Sequence, residues 1–484
     1  MSTVEHVDVL IVGAGISGVG AGYYMKKRCP GHTFAIFEGR EDIGGTWDLF
    51  RYPGIRSDSD MFTLGYAFKP WKDQKAIADG ASILRYVRET ADEFGIRQHI
   101  RFNHRVGNAS WSSKDARWTV QARRTDTDDA IEITCNFLFM CSGYYDYKEG
   151  HSPEFAGRDR FKGTVVHPQH WPEDLDYTGK KVVVIGSGAT AVTIVPEMAK
   201  KAAHVTMLQR SPTYIVSAPE QDVIANWMRR KLPARTAYSI TRWKNVMLTM
   251  FFFTLSRRAP ERMKAMIKKG QREALGPDYD IDTHLTPRYN PWDQRMCLVP
   301  DGDFFEALNA GTVSIATDTI DTFTETGIRL DSGKELDADI IVTATGLKLL
   351  FLAGMELTVD GEAVDLSQTM SYKAMMFSDV PNLALSFGYT NASWTLKSDL
   401  TGEYVCRLLN HMQRNGYRRC VPRQRDASMA NVPFLDFSSG YITRAAASMP
   451  KQGTKAPWKL YQNYLMDILT LRHGKVDDES MEFK

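Results

Sequence analysis

The chain opens with an apolar run that ends in a glycine-rich turn. Residues 6–12 read HVDVLIV, and apolar, β-branched runs of this kind are buried in the middle of parallel sheets. The turn GAGISG follows at residues 13–18, and residues 19–28 have the spacing of a helix. A second apolar run, at residues 33–37, ends at Glu38. The pattern predicts a strand, a helix and a second strand, which together make one β-α-β unit.

The same pattern occurs a second time. An apolar run at residues 181–185 leads into the turn GSGATA at residues 186–191, and another strand is predicted at residues 204–208. The two glycine turns lie about 170 residues apart, which is a typical spacing for separate domains. The chain is therefore expected to carry two nucleotide-binding units.

The remaining elements are shorter or less regular. Between the two units the pattern favours a helix at 81–94 and strands at 117–122, 131–134 and 137–141. Residues 219–276 are mostly helical in pattern and are bounded by prolines, which indicates an insertion. Strands are predicted again at 313–316, 327–330 and 340–344, and a helix at about 401–415. The last segment must rejoin the first unit if that unit is to be complete.

The first glycine turn has the residues that a dinucleotide needs. Gly13 permits the tight turn, Gly15 lets the backbone approach a pyrophosphate, and Gly18 lets the helix pack close to the strand. Glu38 lies about 20 residues past Gly18, where a carboxylate accepts hydrogen bonds from free ribose hydroxyls. Strand, turn, helix, strand and acid in this order favour an FAD site over a chance glycine turn.

The second glycine turn differs where the ribose would bind. Gly186 and Gly188 match the motif, and Ala191 takes the third place, which the helix-packing role tolerates. Arg210 follows the second strand of this unit in place of an acid, and a guanidinium can bind a 2′-phosphate. NADPH is the dinucleotide that we expect here. The alternative for Arg210 is an exposed cation at a strand end.

These assignments together predict an α/β protein with two Rossmann-like dinucleotide-binding domains, one for FAD and one for NADP. The FAD-binding domain is expected to comprise residues 1–145 and to return at residues 341–484. The NADP-binding domain is expected at residues 146–340, with the helical insertion at about residues 219–276.

Composition and charge narrow the possible functions. The chain has 484 residues and a formal net charge of +2, which gives no overall field for holding nucleic acid. Its six cysteines show neither a metal-ligand spacing nor the redox pair of a flavin disulfide reductase, so we predict no metal site. The longest apolar stretch, residues 246–255, is about half the ~20 residues that a membrane-spanning helix needs. No targeting segment is visible, and we expect a cytoplasmic protein.

One basic stretch leaves two interpretations open. Residues 229–272 contain 13 Lys or Arg and a single acid, Glu261, together with three consecutive phenylalanines at residues 251–253. The commoner explanation is a solvated helical face over a buried aromatic seam. The alternative is a weak, peripheral association with an anionic membrane surface.

A motif between the two units carries a family resemblance. Residues 161–172 read FKGTVVHPQHWP, which resembles the F-x-G-x-x-x-H-x-x-x-W-[PD] fingerprint of Baeyer–Villiger monooxygenases. The match rests on Phe161, Gly163, His167 and Trp171, followed by proline. The related flavin-containing monooxygenases look similar but have a different aromatic residue in place of Trp171.

The resemblance extends over nearly the whole chain. It includes GGTW at residues 44–47, RYPG at 51–54, YNPWDQR at 289–295 and GYTNASW at 388–394. Together these segments look like the ethionamide-monooxygenase branch of bacterial enzymes, which activate thioamide prodrugs. The resemblance implies cofactor-binding roles for Gly45, Thr46, Trp47 and Trp394.

The same resemblance implies the catalytic groups. Arg295 would be the active-site arginine over the flavin, and Asp58 the carboxylate that positions it; the alternative is an ordinary interdomain ion pair. His167 and Trp171 have an alternative as well, a satisfied linker histidine and a core indole that govern domain motion instead of chemistry. Gln294 stands where other branches often have a lysine, so part of the usual 2′-phosphate clamp is missing.

The activity implied is that of an FAD-dependent, NADPH-using monooxygenase. It would convert ketones to esters or lactones with molecular oxygen, and would also oxidise sulfides or thioamides. The alternative is a flavin-containing N- or S-oxygenase without ketone activity. In both cases the cofactors carry out the redox chemistry, and the protein supplies binding and electrostatics.

Overall fold

The computed structural model describes residues 4–484. Up to residue 150 the strands are β1 (Glu5–Val12), β2 (Phe34–Phe37), β3 (Ile100–Arg101), β4 (His104–Ser112), β5 (Arg117–Arg124), β6 (Ala130–Met140) and β7 (Tyr145–Gly150). The helices of this part are α1 (Ile16–Arg28), α2 (Thr46–Leu49), α3 (Met61–Leu64) and α4 (Gly80–Glu93).

The middle of the chain contains the second glycine turn. Its strands are β8 (Thr164–Val166), β9 (Lys181–Ile185), β10 (His204–Gln209), β11 (Ile215–Ala218), β12 (Cys297–Pro300), β13 (Val313–Thr317), β14 (Ile320–Phe323), β15 (Gly327–Leu330), β16 (Glu335–Asp337) and β17 (Ile340–Thr343). Its helices are α5 (Ala189–Met198), α6 (Val223–Lys231), α7 (Ala234–Arg258), α8 (Pro260–Leu275), α9 (Ile281–His284) and α10 (Asp303–Asn309).

The last part of the chain is less regular. Its strands are β18 (Leu347–Leu349), β19 (Glu356–Val359), β20 (Glu362–Ala363), β21 (Ser371–Tyr372), β22 (Met376–Phe377), β23 (Leu383–Leu385), β24 (Cys420–Pro422), β25 (Val432–Pro433), β26 (Lys451–Gln452) and β27 (Met481–Phe483). Its helices are α11 (Trp394–Asn415), α12 (Gly440–Ala445) and α13 (Tyr464–Asp467).

The largest sheet has the order β20-β19-β4-β5-β6-β1-β2-β3, and β23 also pairs with β6. β1 runs parallel to β2 and to β6, and its last four residues, 9–12, have at most 4% of their surface exposed. Because both faces of β1 are covered, its sequence is almost continuously apolar. The first predicted β-α-β unit is confirmed.

A second sheet has the order β13-β10-β9-β17-β8. All four of its pairings are parallel. The second predicted β-α-β unit, formed by β9, α5 and β10, is therefore confirmed as well. Parallel neighbours require crossover connections, and α5 provides one of them.

Two chain segments connect the two sheets. The outgoing segment is β7 and the returning segment is β18, and they pair with each other in antiparallel register. After β18 the chain adds β19, β20 and β23 to the first sheet. The sequence required this return, because the first unit alone lacked part of its sheet.

The helical insertion consists of α6, α7 and α8. The predicted proline boundaries hold, since α7 begins directly after Pro233 and α8 begins at Pro260. Proline fits the first turn of a helix because the N–H that it lacks would have no helical partner there. None of the helices in residues 4–484 combines the length and the apolar character needed to cross a bilayer.

Two elements differ from the sequence prediction. The strands expected at 131–134 and 137–141 are one continuous strand, β6, which pairs with β5 along its first half and with β23 near its end. The helix expected at about 401–415 begins at Trp394. Nearly every residue from Thr395 to Cys406 is buried, so this first half shows no polar face and no helical periodicity.

Candidate active site

One cavity of about 890 Å³ lies where the two glycine turns meet. Gly13 and Gly15 of the first turn and Gly186 and Gly188 of the second turn line the same space. Both turns follow the carboxyl end of a parallel strand, which is where open α/β sheets bind ligands. The fold thus brings two segments that are distant in sequence to one site.

The first turn has the geometry that its glycines predict. Gly13 has φ of +102°, and a Cβ atom there would lie 2.6 Å from the carbonyl oxygen of Cys141. A Cβ atom on Gly18 would lie 1.7 Å from the carbonyl oxygen of Gly13, so only glycine lets α1 approach β1 this closely. Gly15 precedes α1 without a side-chain cap, which leaves N–H groups of the first helical turn for an anion.

Glu38 is buried at the end of β2. Its carboxylate accepts hydrogen bonds from the backbone N–H of Ala14 at 2.7 Å and of Arg40 at 2.9 Å. Burial nevertheless raises the pKa of Glu38 above its usual value. The carboxylate also lines the cavity, where it can accept further hydrogen bonds from vicinal hydroxyls.

The predicted segment around Gly45, Thr46 and Trp47 forms another wall of the cavity. Gly45 has φ of +57°, and a Cβ atom there would lie 3.1 Å from Cα of Gly15. The backbones of the two segments therefore come into close contact at Gly15 and Gly45, where neither residue has a side chain. Thr46 and Trp47 begin α2 beside this contact.

The second turn has the same backbone geometry as the first, but the space beside its second glycine is more open. Gly186 has φ of +133°, and a Cβ atom there would lie 2.3 Å from the carbonyl oxygen of Ala344. Gly188 precedes α5 without a side-chain cap, and a Cβ atom there would meet nothing within 4 Å among the described residues. Ala191 is fully buried against the sheet, which is the packing role that the sequence predicts.

Arg210 lies directly after β10, on the rim of the cavity. Its side chain is exposed, and it forms no ion pair within residues 4–484. The guanidinium therefore stands at the cavity rim after the second strand of this unit, without an ion partner among the described residues. Arg210 can act there without breaking an existing contact.

Arg295 and Asp58 meet in the cavity although they are distant in sequence. Nε of Arg295 lies 2.8 Å from Oδ2 of Asp58, and its NH2 group donates to Oδ1 at 3.2 Å. The carboxylate raises the pKa of Arg295 still further above its usual range. Two parallel hydrogen bonds fix the plane of the guanidinium, and its remaining N–H groups can be used in the cavity.

Three tyrosines around Arg295 were not predicted from the sequence. Tyr144, Tyr145 and Tyr441 line the cavity, and the hydroxyl oxygens of Tyr144 and Tyr145 lie 3.1 Å apart. Burial raises the pKa of all three, so their hydroxyls stay protonated. The first two follow β6 at the carboxyl end of a parallel strand, a signal that could have found them. Nothing in the sequence pattern points to Tyr441.

Trp394, which the sequence assigns to the cofactor site, lies in the wall beside these tyrosines. Its ring stacks on Tyr144 with centroids 5.2 Å apart and planes 15° apart. Its indole N–H donates to Oγ of Ser17 at 2.7 Å, which ties α11 to α1. Trp394 thus forms a flat aromatic boundary of the cavity next to the first turn.

The fingerprint residues lie at the junction between the sheets. Phe161 is buried, and a Cβ atom on Gly163 would lie 2.3 Å from the carbonyl oxygen of Asp339. His167 is half-buried against β7, and Trp171 packs on the core of the second sheet. In the described part of the chain, none of the four lines the cavity.

The cavity fits two dinucleotides on structural grounds. α1 and α5 each follow a glycine without a side-chain cap, and both of these glycines line the cavity. The cavity wall holds the buried carboxylate of Glu38 beside the first turn and the exposed guanidinium of Arg210 beside the second. This is the donor and acceptor set that one unphosphorylated and one 2′-phosphorylated nucleotide need.

The chain resembles known flavoprotein monooxygenases in sequence. Residues 6–385 match the sequence model of the flavin-binding monooxygenase-like family. The FAD-containing monooxygenase EthA of Mycobacterium tuberculosis is 55% identical over 480 residues, which are 99% of this chain and 98% of the relative. The predicted resemblance is confirmed.

Solved structures give the same answer for the fold. An oxidised steroid monooxygenase bound to NADP is similar with a TM-score of 0.77 and 23% identity, over 99% of both chains. A cyclohexanone monooxygenase with bound ε-caprolactone also has a TM-score of 0.77, at 19% identity, over 99% of this chain and all of the other. The predicted α/β fold with two dinucleotide-binding domains is confirmed. From its sequence, its paired glycine turns and its fold, the chain belongs to the flavin-binding monooxygenase-like family.

Proposed function

We propose that this enzyme uses FAD, NADPH and molecular oxygen to convert ketones to esters or lactones, and that it also oxidises sulfides or thioamides. The observation that carries the proposal is the guanidinium of Arg295, fixed by Asp58 inside the cavity that both glycine turns line. Relatives support the same chemistry, since EthA is named an FAD-containing monooxygenase and a structural neighbour holds a lactone.

Each glycine turn is assigned one cofactor. Gly13, Gly15, Gly18 and Glu38 would hold FAD, and the second turn with Arg210 would hold NADPH. When bound, FAD activates dioxygen with the electrons that NADPH supplies. We propose domain boundaries near residues 145 and 340, where β7 and β18 connect the two sheets.

Arg295 supplies a fixed positive charge at the reacting centre. Oxygen insertion beside a carbonyl places negative charge on the carbonyl oxygen, and a cation held in position stabilises it without reorganisation. One such positioned group is worth ~3 kcal/mol, or about 100-fold in rate. Asp58 keeps the guanidinium plane constant, so Asp58 is a positioning residue in this scheme.

The Arg295→Ala variant tests this role. We expect it to bind FAD and to oxidise NADPH, since neither glycine turn changes, but to form ester about 100-fold more slowly. NADPH oxidation and ester formation are measured in the same sample, and hydrogen peroxide should account for the difference. Arg295→Lys is the matched control, because it keeps the charge and loses the two parallel hydrogen bonds.

The result for Arg295→Lys should lie between wild type and Arg295→Ala. Ester formation at the wild-type rate in Arg295→Ala would refute the assigned role. The alternative activity, N- or S-oxygenation without ketone conversion, is separated by offering a ketone and a sulfide side by side. If wild type and Arg295→Ala both oxidise only the sulfide, the enzyme belongs to the alternative class.

A further inference from the structure

The insertion helix α7 exposes an apolar face to solvent. Ile240, Trp243, Met247, Leu248 and Phe251 are all exposed, Phe251 by 60%. Most are three or four residues apart, so they lie on one side of the helix. A soluble protein seldom leaves several large apolar side chains together on one helix face unless they contact a partner.

Helix α6 packs beside α7 and exposes apolar side chains of its own. Val223, Ile224 and Trp227 are exposed, by 74% in the case of Val223. Nζ of Lys244 lies 2.5 Å from Oδ2 of Asp222, which holds the start of α6 beside the middle of α7. We call the exposed apolar side chains of α6 and α7 the insertion face.

Unpaired cations flank the insertion face at both ends. Arg230, Lys231 and Arg235 lie at the turn between α6 and α7, and Arg258 and Arg262 lie where α7 passes into α8. All five are exposed, and none forms an ion pair with a residue that the structure describes. The face is therefore apolar in its centre and positively charged at its ends.

We propose that the insertion face docks on the surface of an anionic lipid bilayer. Tryptophan side chains such as Trp227 and Trp243 favour the boundary between headgroups and acyl chains. Arginine and lysine beside an interfacial apolar face bind anionic headgroups, and bury their own stems in the same layer. The proposal concerns binding at the surface, because no described helix can cross the bilayer.

Charge argues against a second copy of the chain as the occupant. In a symmetric dimer the same patch meets itself, so the cationic ends of one face would approach those of the other. The stretch 229–272 offers only Glu261 as a compensating acid, and Glu261 already pairs with Lys264 at 2.8 Å. An anionic bilayer compensates all five cations without such repulsion.

Vesicle flotation of the purified full-length protein tests the proposal. We expect the protein to float with vesicles in which about a third of the lipid is phosphatidylglycerol, and to stay behind with pure phosphatidylcholine. Salt of about 0.5 M should release it, because the charges involved are exposed. Flotation does not depend on turnover, so failure here and failure of the proposed oxygenase activity are distinguishable.

Two sets of variants locate the contact. Arg230→Ser, Lys231→Ser and Arg235→Ser combined should lower the partition coefficient on anionic vesicles about 100-fold, at roughly fivefold for each charge. Trp227→Ser combined with Phe251→Ser should lower it at unchanged net charge. All five side chains lie outside the cavity wall, so NADPH oxidation without vesicles should equal that of wild type.

The matched control removes three other exposed and unpaired cations, through Lys114→Ser, Lys180→Ser and Lys201→Ser. This control has the same net charge as the cationic variant and should float like wild type apart from a small general effect. Equal loss in both triple variants would overturn the proposal, since binding would then follow net charge alone. Equal flotation with neutral vesicles, no flotation at all, or a concentration-dependent dimer that Phe251→Ser abolishes would overturn it as well.

Discussion

Arg295 stays charged throughout the physiological pH range, so its effect depends on where the charge is held. Asp58 holds it through two hydrogen bonds and raises its pKa further. Tyr145 and Tyr441 stand beside it as neutral hydroxyls, because burial raises their pKa. The site therefore offers one fixed cation and protonated donors, and its electrostatics should change little between pH 6 and pH 9.

Arg210 gives a residue-scale prediction about the nucleotide. In Arg210→Gln the KM for NADPH should rise about 10- to 100-fold while the KM for NADH stays the same, because only the 2′-phosphate loses a charge-assisted hydrogen bond. Steady-state kinetics with both nucleotides measures the two values. The control is Arg117→Gln, the same change at an exposed arginine on β5 that does not line the cavity.

The sequence predicts the site residues that act within one element, and it does not predict those that only the fold brings together. Gly13 and Gly186 can be assigned from sequence because each acts within a few residues of its own strand. Arg295 and Asp58 were predicted only through resemblance to a family, since no local pattern joins residues so far apart in the chain. Tyr441 was missed because its place in the cavity depends on how the returning segment packs.

At the scale of elements, the insertion contains a buried cation, Arg242, besides its exposed ones. Arg242 of α7 is buried and donates to the carbonyl oxygens of Phe62 at 2.8 Å and Gly65 at 2.7 Å, at the end of α3. Its other amino group lies 3.4 Å from Oδ2 of Asp399 in α11. One side chain thus fastens the insertion to α3 in the first part of the chain and to α11 in the last part.

We predict that Arg242→Ala lowers the free energy of unfolding by about 3–5 kcal/mol, because it leaves Asp399 buried without its partner. Urea denaturation followed by circular dichroism measures the change. Arg235→Ala is the control, an exposed arginine on the same helix, and should change stability by less than about 0.5 kcal/mol. Similar values for the two variants would show that Arg242 is not an anchor.

Elements with a local signal were predicted well, and those shaped by tertiary contacts were not. β1 and β9 are continuous apolar runs before glycine turns, so their period and length identify them. α11 is buried on all sides in its first half, and such a segment has no amphipathic pattern to read. β6 was divided in two because its two halves have different neighbours, which only the sheet shows.

At the scale of the whole molecule, β7 and β18 are the two paired segments through which the chain passes from one sheet to the other and back. A Cβ atom on Gly150, at the end of β7, would lie 2.0 Å from the ring of His167. The fingerprint histidine therefore fits against the junction only because residue 150 is glycine. This placement supports a positioning role for His167 in relating the two nucleotide sites.

We predict that Gly150→Ala displaces the His167 ring and slows flavin reduction by NADPH about 10- to 100-fold, because small misplacements of reacting groups are costly. Anaerobic stopped-flow absorbance measures this rate, and nucleotide affinity should change far less. Gly107→Ala is the control, since a Cβ atom there meets its first neighbour only at 3.9 Å. Reduction at the wild-type rate in Gly150→Ala would show that the placement of the His167 ring does not affect flavin reduction.

We propose that an enzyme with two facing nucleotide turns and one fixed guanidinium inserts an oxygen atom from dioxygen into its substrate. The most direct test supplies the purified enzyme with NADPH, a ketone and heavy-isotope dioxygen, and analyses the product by mass spectrometry. We expect an ester or lactone that carries one heavy oxygen atom for each NADPH oxidised. NADPH consumed with hydrogen peroxide as the sole oxygen product, or an ester without the label, would contradict it.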